Sequence, residues 1–201
     1  MSVSLVDYGL GNLGSVANML KRVGAESQRV STGDEILASD RVLLPGIGAF
    51  DTGMSLLRDR DLIEPLREFA ASGRPVLGIC LGMQLLLDSS DEGVEPGLGL
   101  VPGKSLRFPD DPALRVPHMG WNTVSLDHED ALVAGLEPDS RFYFVHSYYV
   151  APDREADVLG VTSYGLDFAS MIGAGNVRGA QFHPEKSHAF GMTILKNFSE
   201  L

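Results

Sequence analysis

Apolar residues follow two rhythms along this chain, and the change from one to the other falls near its middle. Val3 to Val6 is a short apolar run ending in Asp7-Tyr8-Gly9, which reads as a buried strand leading into a loop. Asn12 to Val23 carries Leu13, Val16, Ala17, Leu20 and Val23 at helical spacing, and Gly24 stops it. Arg41 to Leu44 is a second strand, closed by Pro45-Gly46. Asp51 to Ala71 reads as one or two helices with Pro65 as the break, and Gly73 ends the region. Pro75 to Ile79 is a third strand, and Leu81 to Leu87 opens another helix. Alternation of this kind means a parallel sheet with crossover helices.

From Gly97 to Gly179 the punctuation is dense in Gly, Pro and Asp, and the apolar runs shorten. Leu100 to Phe108, Thr123 to Leu126, Phe142 to Val150, Val158 to Ser163 and Ala169 to Ile172 read as strands, several of them antiparallel. His188 to Leu201 closes the chain as an amphipathic helix with Phe190, Ile194, Leu195 and Phe198 as its stripe. No repeat, low-complexity tract or linker interrupts it. The expectation is one α/β domain over residues 1–201, with a mostly parallel central sheet flanked by helices and an additional antiparallel region.

Composition narrows the function classes. Asp plus Glu outnumber Lys plus Arg by 27 to 16, a formal charge of -11, which argues against the basic face that nucleic-acid binding needs. No apolar stretch approaches the roughly 20 residues that span a bilayer. Met1-Ser2-Val3-Ser4 lacks the basic start of a secretory signal, so no membrane role and a cytoplasmic location are expected. A single cysteine excludes an internal disulfide and a cysteine-based zinc site. That thiol is either a small buried apolar residue or a reactive group.

Its surroundings favour reactivity. In Val76-Leu77-Gly78-Ile79-Cys80-Leu81-Gly82-Met83-Gln84 a strand runs through G-x-C-x-G into a helix, the cysteine form of a nucleophile elbow. The turn crowds neighbouring backbone, so side chains at Gly78 and Gly82 would clash. The helix beginning at Leu81 aims free N–H groups and its positive end at Cys80, which favours the thiolate. The Leu81 N–H can also donate to a developing oxyanion. The bland alternative is a buried cysteine in a tight strand–helix turn.

A thiolate in acyl transfer needs an acid–base partner. Of the five histidines, His128 sits in an acidic, exposed turn and His188 opens the last helix. His183 lies in Gln181-Phe182-His183-Pro184-Glu185, where Pro184 biases it towards extended backbone. Residues i and i+2 of an extended segment face the same way, so Glu185 can lie beside the His183 ring and orient it.

Taken together, Gly78 to Gln84 and His183-Pro184-Glu185 resemble the class I triad glutamine amidotransferases. Pro45-Gly46-Ile47-Gly48-Ala49-Phe50 is similar to that family's oxyanion strand. Asp7 to Leu13, Pro117-His118-Met119-Gly120-Trp121-Asn122 and Val145-His146-Ser147-Tyr148-Tyr149 resemble the glutaminase subunits of imidazole glycerol phosphate synthases. The resemblance implies a flavodoxin-like fold and glutamine as the substrate. It also implies ammonia delivery to a separate (β/α)8 cyclase subunit in a heterodimer serving histidine biosynthesis, with no metal or organic cofactor. By the same resemblance Cys80, His183 and Glu185 form the triad. Gly46, Gly48 and Leu81 shape the oxyanion site, and Gln84, Ser147 and Tyr148 hold the polar ends of glutamine. Asn12, Trp121 and Lys186 would lie near the cyclase. Taken alone, Asn12 is equally a helix cap, Trp121 equally core and Lys186 equally a solvated charge.

Three rival readings are weighed against this resemblance, and the subfamily segments, the complete triad pattern and the lack of a signal each count against one of them. One is the glutaminase subunit of pyridoxal phosphate synthase. Another is a non-catalytic amide-binding regulatory subunit, whose mark would be a missing triad member. The third is a cysteine peptidase or stand-alone γ-glutamyl hydrolase.

Overall fold

The computed structural model describes residues 2–126, 128–138 and 140–201; Met1, part of the N-terminal segment considered above, lies outside them, as do Asp127 and Asp139. The strands are β1 (Ser2–Val6), β2 (Glu26–Val30), β3 (Arg41–Gly46), β4 (Val76–Cys80), β5 (Ser89–Ser90), β6 (Gly103–Arg107) and β7 (His118–Thr123). They continue as β8 (Ser125–Leu126), β9 (Arg141–His146), β10 (Tyr148–Pro152), β11 (Val158–Ser163), β12 (Asp167–Ala174) and β13 (Val177–Ala180). The helices are α1 (Leu13–Arg22), α2 (Gly33–Leu37), α3 (Phe50–Asp59), α4 (Ile63–Ala71), α5 (Leu81–Leu85) and α6 (His188–Glu200).

Strands β2-β1-β3-β4-β13 lie side by side and parallel, the order of a flavodoxin-like doubly wound sheet. From β13 the pairing turns antiparallel through β12, β10 and β6. Strands β7 and β9 form a separate antiparallel ribbon. The mostly parallel sheet with an antiparallel extension is therefore as the sequence rhythms predict.

Successive side chains of a strand face opposite ways, and the core divides accordingly. Val42 and Leu44 of β3 pack with Phe50, Met54, Leu66 and Phe69 from α3 and α4. Leu43, between them, packs on the other face with Val16 and Leu20 of α1 and Ile194 and Phe198 of α6. Every residue of β4 is buried, which fits a strand at the centre of the sheet.

Several boundaries differ from the sequence reading. The break between α3 and α4 lies at Arg60–Leu62, where Asp61 has φ 54°, and not at Pro65. Pro65 sits in the first turn of α4, where a missing N–H costs no helical hydrogen bond. Pro45-Gly46 extends β3 instead of closing it; β1 pairs with β3 only as far as Leu43, so the proline leaves that ladder intact. Phe142 to Val150 is not one strand. It breaks at Ser147 into β9, which belongs to the ribbon, and β10, which belongs to the large sheet. Strand β2 has no apolar period because only Val30 is buried on that edge. Helix α2 has a readable signal, a capping box in which Thr32 and Glu35 bond each other's backbone N–H groups.

Candidate active site

Strand β4 carries Cys80 to the carboxyl edge of the parallel strands, and α5 begins at the next residue. Cys80 has φ 54° and ψ -112°, a left-handed conformation that costs a non-glycine residue about 1–3 kcal/mol. The surrounding packing holds it there. A Cβ at Gly82 would lie 1.9 Å from the Leu44 carbonyl oxygen, and one at Gly78 would lie 2.6 Å from that of Gly82. A Cβ at Gly46 would meet the Tyr8 hydroxyl at 2.6 Å. That hydroxyl donates to the Pro45 carbonyl at 2.9 Å, tying the end of β3 against the elbow. Burial, and then the charge of Cys80, raises the Tyr8 pKa, so the phenol stays a neutral donor.

His183 follows β13 with extended backbone, φ -98° and ψ 98°. Pro184–Lys186 is a 3-10 turn, so Glu185 reaches the ring by a turn and not by the alternation of an extended strand. The outcome is the same: His183 Nδ1 and Glu185 Oε1 are 2.9 Å apart and both side chains are 3% exposed. Nε2 has no hydrogen-bond partner among the described residues, and His183 shares the lining of one cavity with Cys80. Burial disfavours the imidazolium, but Cys80 and Glu185 outweigh it and raise the His183 pKa to about 9.

A cavity of about 350 Å³ opens on Cys80 and His183. Of the residues expected from sequence, Gly48, Leu81, Gln84, Ser147, Tyr148 and Lys186 also line it. Gly46 stands behind the lining, packed against the elbow. Gln84 Nε2 donates to the Tyr148 carbonyl at 3.1 Å and to Gln181 Oε1 at 3.2 Å, and among the described residues no donor is recorded for its own Oε1. The sequence reading missed Glu92, which contributes a carboxylate to the same wall while Oε2 accepts from the Phe50 N–H at 2.9 Å. It also gave no role to His146, which lines the cavity and donates from Nδ1 to the Tyr148 carbonyl. A larger hollow of about 660 Å³ beside Leu126, His128 and Ala131 is lined, among the described residues, by no thiol or hydroxyl, so chemistry and not size selects the site.

The three residues placed near a partner are all exposed. Asn12 caps α1 by accepting from the Ser15 N–H at 3.2 Å. Trp121 is 40% exposed and lies flat on His188, with ring centroids 5.2 Å apart and planes at 4°. The Lys186 ammonium sits 5.4 Å from the Tyr143 ring centroid. Two further apolar side chains are also exposed: Met119, beside Trp121 on β7, and Ile47, at the cavity.

A thiol on a strained elbow, an imidazole and a buried carboxylate at the carboxyl edge of a doubly wound sheet define the geometry of a cysteine-nucleophile acyl-transfer site. The family model described as glutamine amidotransferase class-I matches residues 4–200, and this chain belongs to that family. The chain is 48% identical over 200 residues to imidazole glycerol phosphate synthase subunit HisH 2 of Pseudomonas aeruginosa, covering 99% of each chain. It is 47% identical over 203 residues to the subunit HisH of Bdellovibrio bacteriovorus, covering 99% of this chain and 100% of the relative. Among solved structures it superimposes on a glutamine amidotransferase with a TM-score of 0.75 at 20% identity, covering 100% of both chains. The structure of PurLQS from Thermotoga maritima gives a TM-score of 0.75 at 19% identity, covering 98% of this chain and 96% of that one. Those structures share the fold. None of these relatives favours the pyridoxal phosphate synthase, regulatory-subunit or peptidase readings.

Proposed function

We propose that this chain is a single amidotransferase domain that hydrolyses glutamine to glutamate and ammonia. It passes the ammonia to a (β/α)8 cyclase subunit, as the glutaminase half of an imidazole glycerol phosphate synthase working in the cytoplasm. The Cys80, His183 and Glu185 arrangement is the single observation that carries the chemistry, and the full-length likeness to the HisH subunits carries the pathway.

Cys80 Sγ attacks the side-chain carbonyl carbon of glutamine. The Leu81 and Gly48 backbone N–H groups, bordering the cavity, are the expected donors to the oxyanion. With its pKa near 9, His183 is an imidazolium at neutral pH and protonates the departing ammonia. It then takes a proton from the water that opens the thioester, while Glu185 holds Nδ1 throughout. The Oε1 of Gln84 and the Glu92 carboxylate suit the α-ammonium of glutamine, and Lys186 at the rim suits its carboxylate.

Asn12, Ile47, Met119, Trp121 and Lys186 form the proposed partner surface. An exposed tryptophan and methionine beside an active-site mouth suit burial against another protein. In the complex, Cys80→Ala should abolish glutamine-dependent synthesis while ammonium salts still support the partner's reaction. Glutaminase activity retained in Cys80→Ala would overturn the assignment.

A further inference from the structure

Gln181 is completely buried beside the triad, and the mechanism above leaves it unused. Its Nε2 lies 3.8 Å from Cys80 Sγ, within donor reach of a sulfur atom. The neighbours decide which end of the amide faces the sulfur. The Tyr148 carbonyl can only accept, so the Gln84 atom 3.1 Å from it is Nε2. The other hydrogen of that nitrogen is directed at Gln181, whose facing atom at 3.2 Å must then be Oε1. Only the donor end of Gln181 remains for the sulfur. Turning either amide over would bring like atoms together in a buried site, where an unmet hydrogen bond is expensive. The Tyr148 carbonyl is held from its other side by His146 Nδ1 at 2.8 Å, so this orientation has a fixed end.

We propose that Gln181 is a further catalytic residue: its amide N–H donates to Cys80 Sγ and favours the sulfur anion as the attacking species, with Gln84 as the positioning residue that fixes the amide. The inference rests on Cys80 being the nucleophile. It does not depend on which amide the enzyme opens. A hydrogen bond to an ionised sulfur is stronger than one to a thiol, so the donor acts selectively on the reactive form.

The test is alkylation of Cys80 by iodoacetamide in the full chain, followed between about pH 5 and about pH 10. Gln181→Glu keeps the volume and the acceptor for Gln84 but replaces the donor with a carboxylate oxygen. The expected result is alkylation about tenfold or more slower at neutral pH, with the rate recovering at higher pH. Glutamine turnover should lose kcat with little change in KM. Gln181→Met, which removes both polar atoms at similar volume, should shift the alkylation profile in the same direction by less. Tyr8 and His183, the other titrating groups coupled to the sulfur, are present in both variants. A variant that still unfolds in one cooperative urea transition and alkylates with the natural profile overturns the proposal. Because iodoacetamide needs no glutamine pocket, failure of the glutamine reading leaves this result standing. A natural chain whose Cys80 stays inert at every pH would overturn the nucleophile assignment itself.

Discussion

His118 Nδ1 lies 3.0 Å from His146 Nε2, and the pair has a direction. His146 Nδ1 is 2.8 Å from the Tyr148 carbonyl, which only accepts, so His146 carries its proton there and receives at Nε2 from His118. His118 is stacked on Tyr164 at 3.9 Å and on Phe144 at 4.7 Å. The ribbon strand β7, which bears Trp121, is thus linked to the wall of the Cys80 cavity by two neutral imidazoles.

Neutrality of that pair predicts acid sensitivity. Burial lowers the His118 pKa to about 4. Burial lowers that of His146 to about 3, with the Tyr148 carbonyl resisting and His118 and His183 adding to the shift. In the unfolded chain both return to about 6.5, so between these values the unfolded state binds more protons. The pair's contribution is full above about pH 6.5 and is lost as the pH falls towards 4. The urea midpoint should drop on acidification, and drop less in a His118→Phe, His146→Gln double variant. Equal slopes would remove the pair as the cause.

His183 has the opposite sign. Its raised pKa adds stability that is full below about pH 6.5 and is lost as the pH rises through about 9. Glu185→Gln keeps a polar partner for Nδ1 but removes its charge. The His183 pKa should fall, read by NMR titration of the ring, and kcat should drop by about 10²–10⁴. An unmoved titration would show that Glu185 does not supply the lift.

Glu92 offers the cavity an anion on a side chain already bonded to the Phe50 N–H. Glu92→Gln should raise the KM for glutamine about tenfold or more, with a smaller effect on kcat, because the lost interaction is with the ammonium and not the reacting amide. Steady-state kinetics with glutamine decides it; an unchanged KM places the ammonium elsewhere.

Trp121→Ala should weaken the cyclase complex by about 1–3 kcal/mol while leaving the urea midpoint of the isolated chain within about 0.5 kcal/mol. Titration calorimetry against the cyclase reads the first effect. Unchanged affinity would move the partner surface away from β7.

The triad was legible because each member sits in a short local pattern: Cys80 between two glycines at a strand end, His183 two residues before Glu185. The same holds for the parallel half, where apolar runs and glycines punctuate each unit. Glu92 and Gln181 were not legible. Glu92 reaches the site through Phe50, far from it in the chain, and Gln181, although two residues before His183, shows a role only through its contacts with Gln84 and Cys80. The break at Ser147 was hidden for a related reason, since both halves of Phe142 to Val150 are apolar enough to read as one strand while belonging to different sheets. Strand β2 lies on an edge that needs only Val30 inside, so periodicity carried no signal there.

The left-handed backbone at Cys80 bears on a question that composition leaves open. A cysteine present only to fill space has no reason to occupy a conformation that glycine would adopt freely. Cys80→Gly should give a chain that unfolds at a higher urea concentration and does no chemistry. On the proposed role, that gain would be the stability given up for reactivity at this one residue.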